Sequence, residues 1–204
     1  VILAHPRPGS LNHALARAAC AVLEERGEEV RFHDLYVEGF DPLLPEAEVS
    51  REASLPSLVA AHCREIAVAG GIVLVHPNWW GMPPAVLKGW VDRVLRPGVA
   101  YAFSEGDGGE GVPVGLLKPM TAVVLNTSNT PEQREREVFG DPLERLWGDC
   151  VLRFCGVSKV VRRMFGVICV STREERAAWL AEAGELVRRE FAVNFPATST
   201  NQGA

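Results

Sequence analysis

Five short apolar runs recur along the chain, separated by segments with helical periodicity. Most of these runs are continuous, whereas a strand with one face in water alternates apolar and polar residues. Continuous runs are typical of parallel strands covered on both faces. Because helical segments alternate with them, the sequence predicts an α/β fold with a five-stranded, doubly wound parallel sheet and helices on both faces. The runs are VILAH (1–5), EVRFHDL (29–35), IVLVHP (72–77), TAVVLN (121–126) and VVRRMFGVICV (160–170).

Capping residues and helix breakers mark the expected helix boundaries. Gly27 stops the first helix, and Thr172 caps the last. Thr130 and Asp141 each stand before a proline, so each is predicted to cap a further helix that begins at that proline. The stretch SEGDGGEG (104–111) is expected to be a surface loop. The other helices are predicted over 11–26, 58–69, 85–95 and 172–190.

Length and charge limit the class of protein. The 204 residues are 47% hydrophobic, which suits one domain over 1–195 with 196–204 as a polar tail. A net charge of -5 without a basic run argues against binding to nucleic acid or to an anionic membrane face. No apolar stretch approaches the roughly 20 residues of a spanning helix, and VILAHPRPGS lacks the features of a signal peptide. We therefore expect a cytoplasmic protein without membrane insertion.

The five cysteines and five histidines do not suggest a metal centre. Most cysteines lie in apolar segments, so reduced and mostly buried thiols are expected. Cys150 and Cys155 lack CxxC spacing and have no histidine nearby, so no metal site is predicted. His13, His33 and His62 are expected on the surface or on helix faces.

Three polar loops follow the carboxyl ends of predicted strands, at 5–12, 76–84 and 126–132. Ligands of doubly wound sheets bind at this edge, so one ligand could contact all three loops. None of these three loops contains GxGxxG or GxxxxGK[ST], which argues against the usual dinucleotide and nucleoside-triphosphate sites at this edge. It also has no GxSxG turn and no distinctive carboxylate pair, so a hydrolase triad and a glycosidase site are unsupported.

The loop HPRPGSLN predicts an anion site at the start of the first helix. Ser10 stands at the N-cap, and Gly9 gives the backbone freedom to enter it. The N–H groups of Leu11, Asn12 and His13 are then expected to point out of the helix N-terminus, where the helix dipole favours a phosphate. A plain N-cap with nothing bound explains the same residues equally well. Asp34, at the end of the second strand, is interpreted as a strand-end polar residue.

The loop HPNWWGMPP places two tryptophans between a strand and a helix. Pro77 stiffens the exit from the strand, and the backbone from Asn78 to Gly81 is available to hydrogen-bond a planar heterocycle. Trp79 and Trp80 could pack against its ring. Alternatively, the two indoles fill a gap beneath the loop.

The third loop is rich in polar side chains. Thr127, Ser128 and Asn129 could hydrogen-bond the far edge of a ring, or could belong to a helix cap. His5 and His76 also end strands at this edge, each followed by proline, and loop stabilisation is the simpler role for both.

Two of these loops together resemble the flavodoxin-like NAD(P)H:quinone oxidoreductase family, which includes the ancillary reductases of potassium efflux systems. The matching stretches are HPRPGSLNHALA and HPNWWGMPPAVLKGWVDRVLRPGVAYAF, and the resemblance extends over most of the chain. It implies a flavodoxin-like fold, a tightly bound FMN or FAD, NAD(P)H as co-substrate and a homodimer with the site near its interface. It also implies two-electron reduction of a quinone-like acceptor by a ping-pong hydride transfer.

The resemblance assigns the loop residues to parts of the flavin by position. The phosphate and ribityl chain would be held by His5, Ser10, Leu11 and Asn12. The isoalloxazine would be lined by Pro77, Asn78, Trp79, Trp80 and Gly81, and its pyrimidine edge would meet Thr127, Ser128 and Asn129.

The chain departs from the mammalian members in its third loop. They carry Thr-Thr-Gly-Gly where this chain has NTSNT (126–130), and they use a tyrosine and a histidine beyond it as a proton relay. No histidine follows His76 and no tyrosine follows Tyr101, so that relay is absent and no catalytic residue is assigned. The alternatives are a flavoprotein that regulates a membrane transporter, a flavodoxin-type electron carrier, and a sheet protein without flavin.

Overall fold

The computed structural model describes residues 1–103, 111, 113–117 and 120–192 of the chain. The strands are β1 (Ile2–Leu3), β2 (His33–Asp34), β3 (Gly71–Pro77), β4 (Tyr101–Ala102), β5 (Val114–Gly115), β6 (Thr121–Thr127) and β7 (Lys159–Phe165). Five of them form one parallel sheet in the order β2-β1-β3-β6-β7, which confirms the predicted flavodoxin-like architecture. The other two, β4 and β5, pair as a small antiparallel hairpin that was not predicted.

Helices cover both faces of the sheet. The α-helices are α1 (Leu11–Glu25), α2 (Ser57–Val68), α3 (Ala85–Val94), α4 (Glu132–Glu137), α5 (Pro142–Glu144) and α6 (Arg173–Phe191). At its end α5 continues into a π-helix, Arg145–Leu152. On one face, α1 and α6 pack over Val73 and Val75 of β3; on the other, α2, α3 and the π-helix pack over Ile72 and Leu74. Successive residues of β3 are therefore all buried, which is why its sequence shows no alternation.

Three predicted strands, the first, the second and the last, are shorter than their sequence patterns. Only His33 and Asp34 of the second run pair with β1, because β1 itself offers only Ile2 and Leu3. The last run leaves the sheet after Phe165 and ends in a 3₁₀ turn, Ile168–Val170. There the Ile168 N–H donates to the Ser128 carbonyl oxygen, in the loop that follows β6.

Two predicted helix caps are confirmed. Ser10 Oγ accepts a hydrogen bond from the His13 N–H at the start of α1. Thr172 Oγ1 accepts from the Glu175 N–H at 3.1 Å, and the Glu175 carboxylate accepts from the Thr172 N–H at 2.7 Å. This reciprocal pair is a capping box and satisfies two N–H groups that the first turn of α6 would leave free.

The predicted cap at Thr130 is wrong, because Pro131 stands at the N-cap of α4. The prediction for Asp141 is confirmed in position, since Asp141 is the N-cap of α5 and Pro142 its first residue, but the Asp141 side chain accepts no capping hydrogen bond. The helix α4 begins at Glu132 and α5 at Pro142, and neither has a side-chain cap. The Asp141 carboxylate binds Arg162 instead, so a tertiary ion pair overrides the local capping rule.

A buried ion pair fastens the Pro-rich segment after β2 to α3. Arg93 donates through Nε and Nη2 to the two carboxylate oxygens of Glu48, at 2.9 and 2.6 Å, and through Nη1 to the Asp41 carbonyl at 2.5 Å. Gly89 permits the close approach, because a Cβ there would lie 2.3 Å from Pro42. The helix that follows the second loop is thereby anchored.

The cysteines are only partly as expected. Cys63 and Cys155 are buried, whereas Cys150 and Cys169 are exposed, so the expectation of mostly buried thiols is wrong for these two.

The predictions for 104–111 and 196–204 fall outside the described residues, apart from Gly111. Within the described part of the chain, no helix combines the length and hydrophobicity that crossing a membrane requires.

Candidate active site

The carboxyl ends of β1, β3 and β6 surround a cavity of about 770 Å³, a volume typical of cofactor and small-molecule sites. All twelve residues that the resemblance assigned to a flavin line this cavity, although their contact with a flavin stays a prediction. Six further lining residues were not predicted. They are Arg7, Thr130, Glu135, Phe139, Pro142 and Ile168.

The start of α1 forms a polar wall of the cavity. The N–H groups of Leu11 and Asn12 have no acceptor among the described residues, as is usual in the first turn of a helix. The prediction of a free N–H at His13 is wrong, because that group donates to the N-cap oxygen, Ser10 Oγ. Asn12 Nδ2 donates to Thr127 Oγ1 at 2.9 Å, which joins the first loop to the third. Asn12 Oδ1 is buried and has no partner in the described structure. Buried acceptors without a partner are uncommon, and a ligand hydroxyl in the cavity would supply the missing donor for this oxygen.

His13 links this wall to β2 and is half-buried on the inner side of α1. Its Nε2 donates to Asp34 Oδ2 at 3.1 Å, and its Nδ1 lies 2.9 Å from Ser10 Oγ. Asp34 Oδ1 in turn accepts from the N–H groups of Tyr36 and Val37. These contacts fit the interpretation of Asp34 as a strand-end residue that supports the loop after β2.

Residues Trp79–Met82 form a tight hairpin at the rim of the cavity. The N–H of each end residue donates to the carbonyl of the other at 3.0 Å. Trp80 and Gly81 have φ values of 59° and 72°, a left-handed pair that usually requires asparagine or glycine. A tryptophan there is strained. Its side chain is fully exposed, so the alternative that Trp80 fills a gap is wrong.

Asn78 holds this hairpin in place with its backbone and its side chain. Its N–H donates to the Thr127 carbonyl at 2.6 Å, and its Oδ1 accepts from the Gly81 N–H at 2.9 Å. Its Nδ2 donates to Glu135 Oε1, also at 2.9 Å. The amide orientation is therefore set by a carboxylate on α4.

Glu135 is a cavity residue that the sequence did not indicate. It lies in the charged run EQRERE, which has the composition of a solvated helix, yet it is only 3% exposed. Nothing in that run distinguishes the buried glutamate from its exposed neighbours. Only the bond to Asn78, which depends on tertiary packing, identifies it.

The side chains of the third loop mainly hold the loop in place, by bonds within it and to the segment after β7. Ser128 Oγ accepts from the Thr130 N–H at 3.0 Å, and Asn129 Oδ1 accepts from the Cys169 N–H at 2.9 Å. The Ser128 N–H donates to the Phe165 carbonyl at 2.9 Å. These bonds preorganise the loop surface that faces the cavity, so a ligand does not have to order it.

His5 belongs to the cavity wall. Its Nδ1 accepts from the Arg7 N–H at 3.1 Å, and burial lowers the pKa of its imidazole. The neutral form is therefore favoured, with its proton on Nε2. His5 thus offers a ligand an uncharged N–H donor.

His76 supports the second loop from beneath, in the loop-stabilising role that was the simpler prediction. Its Nδ1 donates to the Pro77 carbonyl at 2.9 Å, and its Nε2 accepts from Trp147 Nε1 at 3.0 Å. Burial lowers the pKa of His76 to about 4. The strand end is thereby tied to the π-helix by a neutral imidazole.

His33 and His62 form a cluster with two glutamates away from the cavity. His62 lies on α2 but is buried, contrary to a surface position, and its Nε2 is 3.2 Å from Glu38. His33 lies between Glu38, at 2.8 Å, and Glu65, at 2.5 Å. The Trp90 indole N–H donates to His62 Nδ1 at 2.9 Å.

The atoms of His33, Glu38 and His62 are close enough to hold a metal ion, but the hydrogen bonds oppose it. An indole N–H can only donate, so His62 Nδ1 is an acceptor and the neutral ring carries its proton on Nε2. A metal on Nε2 would move that proton to Nδ1, against the Trp90 N–H. We interpret the cluster as a structural hydrogen-bond network.

Known proteins match this chain along almost its whole length. A family model described as flavodoxin-like fold matches residues 1–187. A protein of Haemophilus influenzae described as an uncharacterized NAD(P)H oxidoreductase is 31% identical over 194 residues, which cover 91% of each chain.

Solved structures agree with these matches. The NAD(P)H:quinone oxidoreductase from Methanothermobacter marburgensis aligns with a TM-score of 0.75 at 25% identity, covering 92% of this chain and 94% of that one. An FMN-dependent NADH-azoreductase from Bacillus anthracis, solved in complex with FMN, shares the fold with a TM-score of 0.71 at 16% identity, over 92% and 96% of the two chains. The chain is thus an NAD(P)H dehydrogenase (quinone)-like oxidoreductase and belongs to the flavodoxin-like NAD(P)H:quinone oxidoreductase family.

Proposed function

We propose that this chain binds a flavin in the 770 Å³ cavity and reduces a quinone or similar acceptor by two electrons, with NAD(P)H as the donor. One observation carries the proposal. Three loops that are far apart in sequence line one cavity together with Asn12, whose buried Oδ1 has no partner in the described structure. A ligand hydroxyl that donates to this oxygen would satisfy it, which supports a ligand with hydroxyl groups.

The residues present fit the parts of a flavin nucleotide. The free N–H groups of Leu11 and Asn12, at the N-terminus of a 15-residue helix, suit a phosphate. Asn12 Oδ1 suits a ribityl hydroxyl. The hairpin backbone and the Trp79 indole, which is 42% exposed, suit a planar ring. The FMN in the Bacillus anthracis structure of the same fold supports the same ligand class.

The protein contributes binding and orientation to the reaction. When bound, a flavin supplies hydride exchange with the nicotinamide and with the acceptor. Asn78 locks the hairpin that would flank the ring, and Glu135 fixes the Asn78 amide. His5 offers an uncharged N–H donor in the cavity wall. Most backbone N–H groups of the second and third loops already donate within the protein, so those of Trp80 and Asn129 would be left to stabilise negative charge on a reduced ligand.

Cofactor binding is the first test of this proposal. FMN and FAD are titrated separately into the purified protein, and the flavin carried through purification is identified by absorbance and mass after denaturation. We expect saturable binding of one flavin, and oxidation of NADH or NADPH that depends on an added benzoquinone. A protein that binds neither flavin would refute the proposal.

The variant Asn12→Leu makes the test specific to the site. Leucine keeps the approximate size of the side chain but removes both the acceptor and the donor. We expect loss of flavin binding with the sheet still folded, as measured by circular dichroism.

Parallel double-reciprocal plots in the two substrates would support the ping-pong order.

A homodimer is part of the proposal. Two exposed apolar side chains line the cavity, Trp80 and Phe139, and Met82 and Val138, close to them in sequence, are exposed as well. Clustered exposed apolar groups favour a protein interface. Sedimentation velocity should give twice the 22.2 kDa mass of one chain. A monomer at micromolar concentration would contradict this part alone. The transporter partner stays a prediction.

A further inference from the structure

Arg162 is a buried cation on β7 that lies outside the cavity lining. Its Nη1 donates to Asn126 Oδ1 at 2.8 Å, and its Nε donates to Glu144 Oε2 at 2.8 Å. Its Nη2 reaches both carboxylate oxygens of Asp141 at 2.5 Å. The side chain is 7% exposed. A buried guanidinium with several charged acceptors fixes their geometry, because separation would leave charges unpaired.

Asp141 is held in a conformation that aspartate seldom adopts. Its φ is 49° and its ψ is 64°, and Trp80 is the one other non-glycine residue of the described chain with positive φ. A side chain with a Cβ disfavours this region. Besides the bonds to Arg162, the Asp141 N–H donates to the Glu135 carbonyl at 2.9 Å. These contacts stabilise the left-handed conformation.

That conformation brings Pro142 against the Trp79–Met82 hairpin. A Cβ added to Gly81 would lie 2.6 Å from Pro142 Cγ, so the ring rests on the glycine backbone. Both residues line the cavity. The hairpin is therefore held on one side by the Asn78 side chain and on the other by Pro142.

We propose that Arg162 is a positioning residue for the ring-side wall of the cavity, acting through Asp141 and Pro142 on Gly81. This inference rests on the proposed function, since its consequence is tighter binding of the flavin. Without the guanidinium, Asp141 relaxes to negative φ and Pro142 moves away from the hairpin. The hairpin then has to be ordered by the ligand, which weakens binding.

The test compares Arg162→Met with Arg163→Met, the matched control. Arg163 is the next residue on β7, and its guanidinium pairs with Glu182 of α6. FMN affinity is measured by quenching of flavin fluorescence. We expect Arg162→Met to weaken binding about tenfold, equivalent to about 1.4 kcal/mol, and Arg163→Met to change it less than about threefold. Equal affinities of Arg162→Met and the unmodified protein would overturn the proposal.

A pair of second-site variants isolates the conformational role. Arg162→Met leaves the Asp141 carboxylate without its cation. Adding either Asp141→Gly or Asp141→Ala removes that unpaired carboxylate. Only glycine adopts positive φ without strain. We expect Asp141→Gly to restore FMN affinity to within about threefold and Asp141→Ala to leave it weak. Equal affinities of the two double variants would overturn the proposal.

Hydrogen exchange of the flavin-free protein separates this inference from the proposed function. The Gly81 N–H should exchange faster in Arg162→Met than in Arg163→Met, whether or not any flavin binds. If neither flavin binds the unmodified protein, the proposed function fails while faster exchange still supports the positioning role. Unchanged exchange would overturn that role. Should Arg162→Met not fold, the single variants Asp141→Gly and Asp141→Ala give the same comparison with Arg162 in place.

Discussion

The indole Nε1 of Trp147 donates a 3.0 Å hydrogen bond to Nε2 of the fully buried His76. Because an indole N–H can only donate, this bond places the imidazole proton on Nδ1, where it is given to the Pro77 carbonyl. Protonation of Nε2 would set two donors against each other. The end of β3, from which the second loop starts, therefore depends on a histidine that stays neutral.

We expect the protein to lose stability as the pH falls from about 6.5 toward 4. In this window His76 takes up a proton when unfolded but not when folded, so acid favours the unfolded state. The difference between 6.5 and about 4 corresponds to at most about 3 kcal/mol, fully present above pH 6.5. Urea unfolding across this range, compared with His76→Gln, measures the contribution. If both proteins show the same pH slope, His76 does not cause the loss.

Replacing Trp80 should separate stability from ligand binding. Trp80→Gly relieves the backbone strain of a tryptophan at positive φ, and it removes no buried contact. The free energy of unfolding should therefore stay equal or rise by up to about 1 kcal/mol. FMN affinity should fall in Trp80→Gly and in Trp80→Ala alike, because both lack the indole. Chemical denaturation and flavin titration measure the two quantities. Retained affinity in both variants would show that the exposed indole plays no part in binding.

Thr127→Val should destabilise the junction between the first and third loops. Valine has the shape of threonine but leaves the buried Asn12 NH₂ without its acceptor, at a cost of about 1–3 kcal/mol. Thr127→Ser keeps the hydroxyl and is the matched control, with a smaller loss. Urea unfolding of both variants distinguishes them. A serine variant as unstable as the valine variant would point to lost packing instead.

Removing one partner of the Arg93–Glu48 pair should be far more costly than removing an exposed pair. Arg93→Met leaves a buried carboxylate unpaired, for an expected loss of about 3–5 kcal/mol. Lys88→Met, on the same helix, breaks the exposed bond to Asp92 and should cost less than about 1 kcal/mol. Thermal unfolding of each variant provides the comparison. Similar losses in the two would mean that the buried pair is not an anchor.

The sheet and the place of the cavity could be predicted from sequence because both follow from simple repetition. Continuous apolar runs indicate strands buried on both faces, and the carboxyl ends of parallel strands share one edge. The loops after β1, β3 and β6 were therefore expected to meet, and they do. Side-chain roles were harder to predict. Ser128 and Asn129 look like ligand-binding groups, but their side-chain oxygens already accept hydrogen bonds from the backbone N–H groups of Thr130 and Cys169.

The residues that sequence reasoning missed are charged side chains whose burial depends on distant partners. Glu135 resembles its exposed neighbours until Asn78, 57 positions away, is seen to bind it. Asp141 matches the local pattern of a helix cap, but Arg162 lies 21 positions later and captures its carboxylate. Local rules are reliable where the bonding partners of a side chain are its neighbours in sequence. At this cavity, the partners of Glu135 and Asp141 are distant in sequence and close only in space.

The bond from Asn12 to Thr127 spans 115 positions of the chain, which has a consequence for biosynthesis. A ribosome releases the N-terminal loop long before the third loop exists, so α1 is made well ahead of its partner in the cavity wall. No pocket is available to a cofactor until β6 has emerged and docked. For a flavin bound as proposed, loading would therefore be a late event in the maturation of the chain, and truncated products of translation that lack β6 would not bind it.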